Sequence, residues 1–417
     1  MRNIGLTLLF LAFTAHAESD WHFSGFGTFG FVTSDSKTLG FRTDTARGKA
    51  SFKNEYDFQS TSVLGGQLEY TFNEEFEAVL QMVHRDQDDF TLNDYTNLAF
   101  LRYSPNPDWS LRLGRTAIDL FQLTEFRNIG FAYPWAKVPT EVYGLVPYRY
   151  VDGLDASYTH PYQSGNFRVK AFIGESKSAF SISRKPEEIE VHNITGLVIG
   201  FDTFDWSINA RYTEAKLANE IETTKGLIGF VQMIPVEYWP SRNDYIEQLS
   251  LQDKRVRYSS ISARYDYENW QFLSEVSHIE GEGIVIRNVN MGYLSASYRF
   301  NEHQFFGIYG FSDSENYTLS DPNFDPKNFP PDIQAGVGYI NDAANFFASN
   351  QSTYSLGWRW DISETLTFKL QWDNTKVEQG GATLWLFADS YNYNPGERSN
   401  VPGETINVYL ANVSFTF

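Results

Sequence analysis

Toward the end of the chain, hydrophobic and polar positions alternate one for one. Tyr354, Leu356, Trp358 and Trp360 alternate with Ser355, Gly357, Arg359 and Asp361, and Leu366, Phe368, Leu370 and Trp372 with Thr367, Lys369, Gln371 and Asp373. The last segment, 405–417, puts Tyr409, Ala411, Val413, Phe415 and Phe417 on one parity and Asn412, Ser414 and Thr416 on the other. Successive side chains of a strand point to opposite faces, so each segment shows oil to one side and water to the other. The same pattern recurs upstream, where Trp206, Ile208, Ala210 and Tyr212 alternate with Ser207, Asn209, Arg211 and Thr213. Read through the whole chain, the alternation predicts sixteen strands of roughly ten to sixteen residues.

The connections carry more information than the strands. Tight turns are predicted at 73–75, 105–108, 163–165, 203–205, 268–269, 301–302 and 363–364. Between them lie mostly longer polar segments, at 34–52, 87–94, 119–149, 179–188, 218–254, 282–286, 316–349 and 379–404. Short and long alternate, seven against eight. An up-and-down barrel with both termini at one end requires that arithmetic, whereas a sandwich or propeller has no reason to keep its long loops together. The predicted fold is therefore all-β: a closed antiparallel up-and-down transmembrane β-barrel, with long extracellular loops and short periplasmic turns. Fourteen or eighteen strands stay open, because 34–52 and 218–254 could each hide a hairpin. The first strand, around 21–33, must pair with the last, since an unpaired edge in hydrocarbon costs several kcal/mol per group.

Composition agrees with a wall that has lipid outside and solvent inside. Aromatic residues make up 17% of the chain, with 35 Phe, 25 Tyr and 10 Trp, and a barrel places them on its lipid face and in interfacial girdles. No run of eighteen apolar residues reads as a spanning helix. Residues 1–17, with Arg2, an apolar stretch over 4–13 and Ala15-His16-Ala17, read as a cleaved signal peptide, leaving 18–417 as one barrel domain.

The formal charge is −19, and without Arg2 it is 32 − 52 = −20, which excludes nucleic acid as a partner. There is no cysteine, which fits an exported Gram-negative envelope protein without a disulfide scaffold. The seven histidines lack metal-ligand spacing, so no cofactor or metal is expected. His84 and His278 read as strand or girdle residues, Asp88 and Asp89 as a solvated loop, and no catalytic motif is present.

With a Gly114-Arg115 pair at the end of the fifth strand, a long third loop and a terminal Phe417, the chain beyond the signal peptide resembles a Gram-negative outer-membrane porin. That resemblance implies a water-filled homotrimeric channel whose third loop folds into the lumen and sets its constriction. It also implies that Phe417 is read by the barrel-assembly machinery. Outer-membrane lipid and lipopolysaccharide are the expected surroundings, and small hydrophilic solutes the expected cargo.

The third loop, 119–149, contains Phe121, Phe126, Phe131, Tyr133, Trp135, Tyr143 and Tyr148, more apolar surface than a loop leaves wet. Packed against the barrel wall, it would present Asp119, Glu125, Arg127, Tyr133, Lys137, Glu141, Tyr143 and Arg149 as constriction residues. A surface cap or subunit contact is the alternative. Strand parity turns Arg85, Arg102, Arg112, Arg168, Lys170, Arg211, Arg264, Arg299, Arg359 and Lys369 inward. It does the same for Glu69, Glu77, Asp155, Asp266, Glu275, Asp361 and Asp373.

Ten basic against seven acidic residues make a mildly positive wall, although a one-residue slip would reverse any strand's share. The expected function is a porin for passive diffusion of small hydrophilic solutes, with an anion or polar-solute preference. A substrate-selective channel for sugars or organic acids is the alternative, since aromatic loop residues could bind sugar rings. An outer-membrane enzyme or adhesin comes third.

Overall fold

Sixteen strands close into one antiparallel barrel, and the chain runs up and down around it. The computed structural model describes residues 20–86, 91–181, 186–319, 321, 324–345, 348–388 and 403–417. The expected signal peptide, 1–17, and Asp88 and Asp89 lie outside the described residues. In chain order the strands are β1 (Trp21–Ser34), β2 (Leu39–Phe41), β3 (Val63–Thr71), β4 (Phe76–Arg85), β5 (Thr96–Asn106) and β6 (Trp109–Ala117). There follow β7 (Tyr150–Tyr162), β8 (Gly165–Ser181), β9 (Pro186–Thr203), β10 (Trp206–Leu217), β11 (Arg255–Tyr267) and β12 (Trp270–Gly281). The last six are β13 (Val289–Phe300), β14 (His303–Ser314), β15 (Ser349–Ser363), β16 (Leu366–Ala382), β17 (Trp385–Phe387) and β18 (Glu404–Thr416). All belong to the barrel except β2 and β17, which pair with each other as a separate two-stranded sheet.

The seven connections at one end are short: 72–75, 107–108, 163–164, 204–205, 268–269, 301–302 and 364–365. At the other end run 35–62, 86–95, 118–149, 182–185, 218–254, 282–288, 315–348 and 383–403. Two of these depart from expectation. Segment 218–254 holds helices rather than a hairpin, and the 179–188 connection contracts because β8 and β9 continue to Ser181 and from Pro186. The helices of the loop end are α1 (Leu92–Tyr95), α2 (Thr140–Tyr143), α3 (Glu222–Met233), α4 (Arg242–Leu249) and α5 (Pro331–Ala344). No helix among the described residues is long and apolar enough to cross a membrane.

Closure is built by β1 and β18, paired in register from Phe26 with Thr416 to Ser34 with Val408. Gly25 and Phe417 exchange two backbone hydrogen bonds, at 2.9 and 3.0 Å. Glycine is required at the seam because aromatic rings lie over it. A Cβ on Gly25 would meet the Phe417 ring at 2.2 Å, and one on Gly27 the Phe415 ring at 2.4 Å. Covering strand glycines with cross-strand aromatics restores packing that glycine alone would forfeit.

Along each strand, one parity is exposed and apolar and the other is enclosed. Leu101, Leu113, Ile173, Ile261, Leu294 and Leu356 are exposed on the outside. Beside the short turns the outside carries a crowd of aromatics, including Trp206, Tyr267, Trp270, Phe300, Phe305 and Trp360. This is the girdle expected at a membrane–water boundary.

Candidate functional site

The third loop lies inside the barrel. Loop backbone enclosed by a wall has no water for its N–H and C=O groups, so the wall must satisfy them. Lys369 on β16 donates to the carbonyls of Tyr133 at 2.6 Å and Trp135 at 2.9 Å, and also to that of Gly130. Arg359 on β15 donates to Phe131 O at 2.8 Å and Tyr133 O at 3.1 Å. Ala136 is held from both sides: its N–H donates to Gln371 Oε1 at 2.9 Å, and its carbonyl accepts from Asn412 at 2.7 Å. Across the lumen, Glu275 on β12 accepts from the Tyr143 hydroxyl at 3.2 Å and from the Gln122 N–H.

Phe121, Tyr133, Trp135 and Tyr143 of the loop are buried in this wall, while Phe126 is exposed. Trp135 is fully buried, donates to Ser295 Oγ at 2.9 Å and meets Tyr293 edge-on at 5.5 Å. Phe121 packs on Tyr143 at 4.8 Å and on Tyr258 at 5.6 Å. Gly130 passes so close to the closure seam that a Cβ would sit 2.4 Å from Thr28 Oγ1 and 2.7 Å from Ser414 Oγ.

The sequence-derived basic positions lie on the inner parity, and most have a partner there. Asp119 bridges Lys170 and Arg211, each at 3.1 Å. Arg112 pairs with Asp155 at 2.9 Å and Glu125 at 3.2 Å, and Arg102 with Glu77 at 2.6 Å. Arg264 pairs with Asp266, and Arg299 and Arg359 share Asp361. Arg168 donates to Asn209 at 3.0 Å. Glu69 accepts from Gln67. Lys137 and Glu141 face the packed wall, the first paired with Asp373 at 3.0 Å, the second accepting from Gln351 at 2.7 Å and from Thr353. Counting inner charges therefore overstates what a solute would meet, since paired charges largely cancel beyond short range.

A different group of arginines is brought together on the β3–β5 side. Arg85, Arg127 and Arg149 line one cavity of about 100 Å³ with Lys137, Asp44 and Asp86, four basic side chains against two acidic ones. Arg149 pairs with Asp44 at 2.7 Å, while Arg85 has no ion pair among the described residues. Toward the loop end this cavity adjoins a second, of about 130 Å³, which shares Asp44, Arg85, Asp86 and Arg149 and reaches Asn93, Asp94 and Lys177. Toward the turn end, Tyr133 separates it from a third of about 390 Å³, lined by Glu268, Asn269, Arg299 and Arg359. Cavities with charged linings thus occur at the loop end, beside the third loop and at the turn end. Tyr133, Arg127, Arg149 and Arg85 stand at the smallest of them.

Sequence reading missed the first loop. Segment 35–62 also folds inward, where Arg42, Asp44 and Arg47 are buried and β2 is tied to β17 of the last loop. Arg42 donates to the carbonyls of Arg47 at 3.0 Å and Ser181 at 2.9 Å, and Arg47 pairs with Asp57 and Asp86. The signal that could have found it is the apolar Leu39-Gly40-Phe41 run inside a charged loop. Gly114 takes φ +125°, and a Cβ there would lie 2.3 Å from Ala99 O. Arg115 after it pairs with Asp152 at 2.7 Å and covers the Tyr150 ring at 3.7 Å.

No family model matches the sequence, and no curated protein matches it. Solved structures do match over almost the whole chain. In vitro folded OmpT of Vibrio cholerae, described as a trimer form, is 10% identical, with 95% of this chain and 99% of that one covered at a TM-score of 0.52. The outer-membrane channel DcaP of Acinetobacter baumannii is 10% identical, with 97% and 99% covered and a TM-score of 0.52. The anion-selective porin from Comamonas acidovorans is 13% identical, with 95% and 99% covered and a TM-score of 0.51. The chain has the fold of the sixteen-stranded outer-membrane porins.

Proposed function

We propose that the protein is an outer-membrane channel through which small hydrophilic solutes diffuse passively, with a preference for anions. The observation that carries this reading is the cavity beside the third loop where Arg85, Arg127 and Arg149 converge, with further charged cavities at the loop end and the turn end. Fixed cations at a constriction attract anions where water is too scarce to screen them. The long loops would face outward and the short turns the periplasm. Candidate constriction residues are Tyr133, Arg127 and Arg149, with Arg85 on the facing wall. Lys137 and Tyr143 line the same cavity, and Asp119, Glu125 and Glu141 hold the loop in position.

A homotrimer is part of the proposal, supported by the trimer form described for the Vibrio cholerae protein. The anion preference accords with the selectivity named for the Comamonas acidovorans porin. The sugar-selective alternative rested on the aromatic third loop: Trp135, Tyr143 and Phe121 are buried and offer no face to a sugar ring, whereas Phe126 is exposed and Tyr133 lines the cavity. Swelling of liposomes containing the purified chain tests the reading. A smooth fall of rate with solute size is expected, faster for carboxylates than for sugars of equal size. An absence of flux would refute it.

A further inference from the structure

Six successive strands, β8 to β13, break the rule that the inside of a membrane barrel is polar. Near the loop end their inner positions include Phe180, Ile189, Ile194, Leu217, Ile279 and Val289, and the third-loop segment 145–148 lies across them. If these side chains served only to seat the loop, they would be expected to fill the space between them, as cores do. Instead they line a half-open cavity of about 120 Å³. Water gains little there, because a buried water needs two to four polar partners and the lining offers few. A cavity of roughly 150 Å³ with such walls stays dry and binds benzene.

Among the described residues, one charged side chain lines this cavity, Arg287. Its Nε and Nη2 donate to the Glu315 carbonyl at 2.9 and 2.6 Å, and the guanidinium sits 5.7 Å over the Tyr317 ring. Those contacts fix it at the rim. A guanidinium has five N–H donors, so the same group can also receive a carboxylate.

We propose that this cavity binds the apolar part of a small organic anion, a single aromatic ring or a short branched chain, with its carboxylate at Arg287. The site borders the arginine-lined path, with Pro147 lining both: Thr45 and Tyr148 face the site, while their neighbours Asp44 and Arg149 face the path. The inference deepens the channel reading and rests on it, because it names the class of anion that the loop end collects.

Binding of 4-fluorobenzoate to the full chain in detergent, followed by fluorine NMR against protein-free micelles, tests it, with fluoroacetate as the control lacking an apolar group. Saturable binding of fluorobenzoate alone is expected. Ala215→Phe, which fills the cavity from the inner face of β10, should weaken it about tenfold, and Arg287→Gln by a similar factor. Ala215→Leu replaces the first variant if that does not assemble. Equal behaviour of the two ligands, or unchanged binding in the filled variant, overturns the inference. Chloride conductance of the same preparations reads separately on the channel: its absence refutes the channel and leaves the binding result standing.

Discussion

Lys369 Nζ lies 2.6 Å from the Tyr133 carbonyl oxygen, and the same ammonium also reaches the carbonyls of Gly130 and Trp135. One side chain of the wall thus holds three carbonyls of the backbone that crosses the lumen. Lys369→Met would leave those acceptors unpaired, at a cost on the order of 3 kcal/mol. The expected outcome is a folded barrel with a loosened third loop. Single-channel records should show larger and noisier conductance, with a lower thermal midpoint.

Asp119 is the second anchor, and it titrates. Burial pushes its carboxyl up, but Lys170 and Arg211 pull it further down, to about 2. A carboxyl whose pKa is depressed on folding contributes stability that is complete above its unfolded value, about 4, and lost as pH falls toward the folded one. The contribution is on the order of 2 kcal/mol. Conductance should therefore be steady from pH 7 to about 4 and become noisy between about 4 and 2. Asp119→Asn should be noisy at neutral pH and show no further acid step.

Selectivity should follow the arginines at the cavity beside the third loop rather than the paired ones elsewhere. Arg127→Glu is expected to move the zero-current potential in a salt gradient toward cations. Arg264→Glu, beside Asp266 at the turn end, should move it much less. Equal shifts from both would point to the summed wall charge as the source.

Gly25→Leu puts a side chain where the Phe417 ring lies. Displacing that ring is expected to cost about 1–3 kcal/mol and to slow closure of β1 on β18. Assembly rate, followed by the gel shift between unfolded and folded barrel, should fall, and removal of Phe417 should restore part of it.

Much of the barrel was legible because its signals are local. Tight turns at 268–269 and 301–302, and the alternation through Trp358, Arg359, Trp360 and Asp361, need no knowledge of distant residues. What was not legible depends on partners far away in sequence. Arg42 and Asp44 lie in a segment legible only as a long polar connection, yet Arg42 bonds to Ser181 O and Asp44 to Arg149. On β9 a register shift at His192 and Asn193 brings Ile189 and Val191 to the same inner face as Ile194, so alternation could not say that this face lines a cavity. Nor could it reveal that Lys369 and Arg359 hold loop carbonyls instead of meeting solute.

The zero-current potential of the unmodified protein in a planar bilayer under a tenfold potassium chloride gradient bears on all of this at once. Passage of ions along the arginine-lined cavities predicts a conducting channel whose potential has the sign of chloride permeability exceeding potassium permeability. A potential of the opposite sign, or a bilayer that stays silent, would contradict it.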